Sequence, residues 1–227
     1  MIDLAIDIPE PKLLVERITE GIRNAITSGR LKPGQQLKEI EIADSLGVSR
    51  SPVREAFRIL QLENLVDVLP RKGAHVHTIT IDEVVDIYQT REMIECFAYT
   101  LLVDTISTED IQYLEKLLAT MDNLAKKEEL ELFLEASTAF HNKFISLTQN
   151  KKIEDIYSGL SNWIKFLRSM IHGTHKKMDR TKSSLIEHHT IIDAIRNRDG
   201  ELVEALSREH VRKGRDHLLS IIKQTIL

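Results

Sequence analysis

A single cysteine, Cys96, is all the thiol chemistry that the 227 residues contain. No internal disulfide can form, and a reducing cytoplasm is the expected setting. Cys96 lies in an apolar helical run, where it reads as buried filler and not as a nucleophile. Long apolar runs are missing too: none approaches the roughly 18 residues that cross a bilayer, and the N-terminus has no signal-peptide pattern. No membrane partner is therefore expected. Low-complexity segments and short-period repeats are absent. So is a basic balance: the formal net charge is −4. Residues 1–76 hold 11 Lys and Arg against 11 Asp and Glu, leaving 20 and 24 for the remainder. Any nucleic-acid binding must come from where the cations stand, not from how many there are. With 42% apolar and 29% charged residues, the composition suits an ordinary soluble protein of one or two domains.

What is present centres on residues 43–57. Residues 39–46 read as a short helix with Ile40, Ala43 and Leu46 along one side. Gly47 supplies the positive φ that a sharp reversal needs. Ser49 is a suitable N-cap, and Pro52 falls in the first turn of the next helix, where no N–H needs an intrahelical partner. That helix spaces Val53, Ala56, Phe57 and Leu60 on an apolar face and gathers Arg50, Arg54, Arg58 and Ser51 opposite. Two short helices about a glycine turn, the second carrying arginines in its first turns, describe a helix-turn-helix with its recognition helix. A guanidinium fork can bond guanine O6 and N7 together or grip a phosphate. The bland alternative, solvated arginines on a surface helix, accounts equally well for Arg50 and Arg54 taken alone. The continuation separates the two. Residues 65–68 alternate like a strand, Pro70-Arg71-Lys72-Gly73 makes a turn, and 74–77 return as a second strand. A hairpin tipped by Arg71, Lys72 and Gly73 is a wing suited to phosphates or the minor groove.

On these residues, with Gly29-Arg30-Leu31-Lys32-Pro33-Gly34 and Leu37 ahead of them, residues 11–76 resemble the winged-helix domain of GntR-family bacterial transcription regulators. The resemblance implies double-stranded operator DNA as partner, contacted by Arg50 and Arg54 with help from Ser49, Ser51 and the wing. One position departs from the pattern. Some members have a further DNA-contacting arginine where this chain has Ile40, and Lys38 stands where a capping Ser is common. Either that contact is absent or Lys38 substitutes for it.

Ahead of this region, Leu14, Ile18, Ile22 and Ile26 mark the stripe of a helix over 13–28. From Thr80 onward the pattern is one of long helices. Thr80 and Glu83 form a capping box opening a helix to about residue 104, and Ser107 caps another to about 127. Helices follow over about 128–148 and 152–171. The polar stretch from Gly173 to Arg180 reads as a loop, and 183–197 and 200–224 form the last pair. The expected fold is mainly α: a winged helix-turn-helix with a small β-hairpin wing over 1–78, then an antiparallel all-α bundle over 79–227. Six helices could enclose a pocket. This second half resembles the FCD domain, the ligand-binding domain of the FadR subfamily. The matching pieces are 86–95 with Arg91, Phe140-His141, Gln149-Asn150, Glu187-His188, Ile191, Ala194-Ile195 and His210. Six helices fit its shorter VanR-like branch.

Of nine histidines, His141, His188 and His210 fall on different expected helices and can face one bundle interior. The resemblance implies a divalent metal, which many FCD domains hold with three His and an Asp four residues before the first. One helical turn stacks positions i and i+4, which suits chelation. The Asp position is Ser137 here. Two readings stand. Three imidazoles can hold one Zn- or Ni-like ion per subunit, with water or an effector carboxylate in the open position. Alternatively, three histidines in a metal-free polar pocket bond an organic anion directly. Arg91 and Ser137 are the effector-binding candidates; on the bland reading Arg91 is half of an interhelical salt bridge. Trp163 and Phe166 read as core. His75 and His77 read as phosphate-adjacent or solvated, and His172, His175, His189 and His217 as surface residues.

The function that follows is a ligand-responsive transcription regulator. It is expected to be a homodimeric repressor, released from an inverted-repeat operator by a small organic acid. The alternative is a hydrolytic enzyme built on a three-His metal site. Against it, no carboxylate base falls beside the histidines by any readable spacing, and the winged helix would have no role. No catalytic residue is expected.

Overall fold

The structure, a computed structural model, describes residues 11–170 and 176–226, with backbone alone at 11–13, 176–179 and 223–226. His172 and His175 lie outside the described residues, as does the first part of the expected loop at Gly173. The chain divides into two compact units between Ile79 and Thr80.

In the first unit, α1 (Pro11–Thr27) buries Ile18, Ile22 and Ile26 on one stripe and packs on α3 (Arg50–Leu62). Helix α2 (Glu39–Leu46) ends at Gly47, whose φ of 65° lets the chain turn sharply into α3. As the spacing requires, α3 buries Val53, Ala56, Phe57 and Leu60. The expected stripe on α2 needs correction: Ala43 is buried, while Ile40 and Leu46 are exposed. The three span about 120° of a helix circumference, and of them only the central Ala43 is buried. The hairpin pairs β2 (Val66–Leu69) with β3 (Gly73–Val76), Leu69 opposite Gly73, which leaves 70–72 as the tip. A third strand, β1 (Gln36–Leu37), adds to the other edge of β3. Two residues are too few to show any alternation, so the sequence carries no sign of it.

The second unit contains the six expected helices: α4 (Ile81–Leu102), α5 (Thr108–Lys126), α6 (Leu130–Leu147), α7 (Lys151–Ser169), α8 (Lys176–Arg196) and α9 (Gly200–Ile226). Thr80 and Glu83 cap α4 reciprocally, Ser107 accepts from the Asp110 N–H, and Asn150 accepts from two N–H groups at the head of α7. The loop expected up to Arg180 is corrected, since α8 already runs from Lys176. Polarity alone does not break a helix, and no Gly or Pro stands between Lys176 and Arg196. Leu114, Leu118, Met121, Phe140, Phe144, Ile191 and Ile195 form the centre of the core. Cys96 is buried, and burial pushes its thiol up to about 12, consistent with inert filler. Phe166 is core as expected; Trp163 is half-buried.

Phe57 is the largest side chain under the recognition helix and is 2% exposed. Phe57→Ala is expected to cost about 3–5 kcal/mol in chemical denaturation. A loss below about 1 kcal/mol would mean that α3 is not seated as described.

Candidate functional site

The first site is the outer face of the winged helix. Ser49 occupies the N-cap position of α3 in extended conformation, but its side chain makes no capping hydrogen bond. Its expected role as a cap is therefore positional only. Arg50, Ser51 and Arg54 are exposed. Both arginines converge on Glu39, the first residue of α2. Arg50 Nη2 donates to Oε2 at 3.2 Å, Arg54 Nη2 to the same oxygen at 2.9 Å, and Arg54 Nε to Oε1 at 3.2 Å. The Arg54 bonds, and then those of Arg50, hold Glu39 below the usual carboxylate range despite its partial burial. Nothing in the sequence spacing announces Glu39, because it lies on a different helix, 11 and 15 residues away. Lys38 is exposed and pairs with Glu41 at 2.7 Å. Arg71, Lys72 and Gly73 stand exposed at the hairpin tip, with Arg71 at φ 63° and Gly73 at φ 83°. Gln36 Nε2 donates to the Lys72 carbonyl at 3.0 Å and ties the tip to β1. Of the two readings for the wing histidines, phosphate-adjacent or solvated, the second is corrected: His77 Nδ1 sits 3.0 Å from both Asp67 oxygens, and His75 is half-buried.

The second site lies inside the helical unit. His141 on α6, His188 on α8 and His210 on α9 are 2%, 0% and 4% exposed. One ring nitrogen from each lies within 4.8 Å of the others. Their protonation follows from their neighbours. Arg91 Nη2, which can only donate, is 3.2 Å from His141 Nε2. That nitrogen therefore carries a lone pair, and Nδ1–H donates to Tyr99 Oη at 2.6 Å. His210 Nδ1 faces the Glu187 carboxylate at 2.7 Å, which leaves its Nε2 as the acceptor nitrogen. His188 Nε2 stands 3.2 Å from His141 Nε2, while its Nδ1 is buried with no hydrogen-bond partner. Burial lowers the proton affinity of all three rings; the neighbouring imidazoles lower it further for His188 and His210, and Arg91 adds to this at all three. Three neutral imidazoles, with Nε2 of His141 and of His210 left as acceptors and one ring nitrogen of His188 orphaned, are a donor set that fits a divalent cation. Arg91 is the group such an ion would displace from His141.

Beside His210 lies a cavity of about 80 Å³, whose lining also includes Arg91, Ser137, Arg168, Arg180 and Ser184. The structure thus brings Arg91 and Ser137, both 2% exposed, to the lining of one cavity. Arg91 is not half of an interhelical salt bridge. Its Nε donates to Glu95 Oε1 at 2.8 Å, one turn along the same helix. Glu95 is wholly buried; burial would raise its pKa, but Arg91 and His141 overcome that and hold it well below the carboxylate range. Tyr157 also donates to it. A second correction follows. Two carboxylates do adjoin the histidines, Glu95 at 3.4 Å from His141 Nδ1 and Glu187 against His210. Helical spacing could have found Glu95, at i+4 from Arg91; Glu187 was visible only as a neighbour of His188. His189 is a surface residue, paired with Asp122, whereas His217 lines the cavity.

These two sites coincide with two known domains. The gntR family of bacterial regulatory proteins matches residues 14–76, and the FCD domain matches residues 86–213, over half of the chain. The chain belongs to the gntR family of regulators with an FCD domain. It is similar to the HTH-type transcriptional regulator YdhC of Bacillus subtilis (strain 168), at 27% identity over 99% of this chain and 98% of that protein. The gluconate operon transcriptional repressor of the same organism is 31% identical over 82% of this chain and 77% of its own. The crystal structure of a GntR transcriptional regulator from Rhodococcus sp. RHA1 shares the fold, with a TM-score of 0.77 over 91% of this chain and 97% of its own at 24% identity. The gntR-type winged helix is a DNA-binding domain and the FCD domain a ligand-binding one. The hydrolase alternative finds no support among these relatives, which are named as transcriptional regulators. No helix among the described residues is long and apolar enough to cross a membrane.

Glu39 organises both arginine forks, so Glu39→Gln is expected to tighten binding to random duplex and to narrow the operator-to-random ratio by about tenfold. Fluorescence anisotropy on both duplexes at one salt concentration checks this. An unchanged ratio would remove Glu39 from the recognition face.

Proposed function

We propose that this gntR-family regulator is a repressor that holds an inverted-repeat operator as a homodimer and releases it when a small organic acid enters the helical cavity. One observation carries the reading: a single chain joins an exposed arginine pair on a recognition helix to an arginine-lined cavity in the helical unit. Arg50 and Arg54 read base edges in the major groove. Ser49, Ser51, Lys38 and the tip residues Arg71, Lys72 and Gly73 position the domain on phosphates.

A homodimer supplies the second recognition helix for the second half-site. An exposed apolar stripe supports it: Met93, Phe97 and Leu101, at i, i+4 and i+8 of α4, are 67%, 57% and 46% exposed. The effector acts only so far as it binds the DNA-competent and the released arrangement with different affinity. The six helices α4–α9 support a place in the shorter VanR-like branch. His141, His188 and His210 would hold one Zn- or Ni-like ion through their acceptor nitrogens. When bound, such an ion supplies a Lewis-acid centre for an oxygen of the effector. Ser137, small and uncharged where many FCD domains have Asp, leaves room for that oxygen.

Replacing both Arg50 and Arg54 by Ala is expected to weaken binding to the upstream region by about 100-fold or more in a gel shift. Undiminished affinity would overturn the DNA-reading face. For the metal, protein dialysed against EDTA is expected to gain thermal stability on adding Zn²⁺ or Ni²⁺, and His188→Ala to abolish the gain. If neither ion changes the melting temperature, the histidines serve the cavity without metal.

A further inference from the structure

One side chain at the head of α2 serves neither the core nor the ion pairs around it. Ile40 is 54% exposed, and the residue through which α2 is buried is Ala43. The charged residues on either side are engaged. Lys38 Nζ holds Glu41 at 2.7 Å, and Glu39 holds the forks of Arg50 and Arg54 at 2.9–3.2 Å. Helix formation does not call for isoleucine there either, since a β-branched side chain loses rotamer freedom in a helix. A lone exposed apolar side chain is ordinary on most surfaces. The place of this one is not. It follows Glu39 directly, in the turn of α2 that reaches the guanidiniums of α3. A duplex seated on Arg50 and Arg54 comes up against that turn.

We propose that Ile40 is a specificity-determining residue: it packs on the methyl group of a thymine next to the bases that Arg50 and Arg54 read, once in each half-site. This rests on the reading of those two arginines as base contacts. What an isoleucine can recognise in a major groove is narrow. It has no donor, no acceptor and no charge, so the hydrogen-bonding edges of the bases offer it nothing. The apolar group that those edges do present is the thymine C5-methyl. The phosphate backbone is the poorer partner, because Lys38 stands against both Glu39 and Glu41 and the turn is left net negative. The contact differs in kind from those of the arginines. Covering one methyl group is worth roughly fourfold in affinity, and it owes nothing to released counterions, so salt that weakens the arginine contacts leaves it in place.

The test is fluorescence anisotropy of the full-length protein on its own upstream duplex, with deoxyuridine replacing each thymine in turn. Uracil pairs as thymine does and lacks only the methyl group. One thymine per half-site is expected to be sensitive, its replacement weakening wild type about three- to fivefold, by the same factor at low and at high salt. Ile40→Ala should bind the natural duplex more weakly by a similar factor and be indifferent to deoxyuridine at that thymine. Ile40→Val should keep most of the discrimination. Because the side chain is exposed, Ile40→Ala is expected to melt as wild type does, which separates lost recognition from lost folding. If no thymine distinguishes wild type from Ile40→Ala, the methyl contact does not exist. If Ile40→Ala weakens every duplex alike, random sequence included, the side chain packs on the backbone and the proposal falls. The double replacement of Arg50 and Arg54 by Ala keeps the two readings apart. Weakened binding there, with no methyl effect at Ile40, overturns this inference alone, whereas unchanged binding overturns the arginine reading and this inference with it.

Discussion

The helical unit is arranged around one buried carboxylate. Glu95 is wholly excluded from solvent, and removing such a charge from water costs several kcal/mol unless donors surround it. Three helices meet at it: Arg91, one turn earlier on α4, and Tyr157 on α7 donate to it, and the His141 ring on α6 lies 3.4 Å away. Loss of any one leaves the others facing an imperfectly matched charge, so the three helices share one register. The same arrangement determines what the cavity can offer. Because Glu95 takes Arg91, that arginine fixes the tautomer of His141 and turns its acceptor nitrogen toward His188 and His210.

A second carboxylate plays a related part in the first unit, with the opposite outcome. Glu39 also gathers arginines, but the forks it holds are more than half exposed and face solvent. Water and DNA can compete for them. Burial therefore separates a permanent pairing at Glu95 from an exchangeable one at Glu39. This also bears on how a domain with no net positive charge can belong to a DNA-binding family: the cations are concentrated on one helix face and one hairpin tip, and the acid that gathers Arg50 and Arg54 holds them in an exposed pairing that can exchange.

The legible parts of the fold were those with a period or a fixed spacing. The apolar stripe of α3, the glycine turn at Gly47, the capping box at Thr80 and the six-helix count all follow from local rules. The boundary of α8 did not, because a polar stretch without Gly or Pro gives no stop signal. Strand β1 was invisible for want of length. Within the sites, the three histidines could be placed by resemblance, and Arg91 and Ser137 with them. Glu39 could not, since its role depends on pairings with a different helix. Arg91 shows the limit from the other side: its position suggested a partner on another helix, yet the carboxylate four residues on is closer and takes it.

The small third strand affects more than topology. With β1 hydrogen-bonded along β3 and Gln36 fastened to the Lys72 carbonyl, the hairpin is braced on its outer edge, where a two-stranded ribbon alone would be marginal. The conformational freedom of the tip is thus given up during folding and not at the moment of encounter. On the proposed DNA-binding role, Arg71 and Lys72 would meet a duplex from a braced hairpin, so groove width, more than loop adaptation, would decide which sequences the tip tolerates.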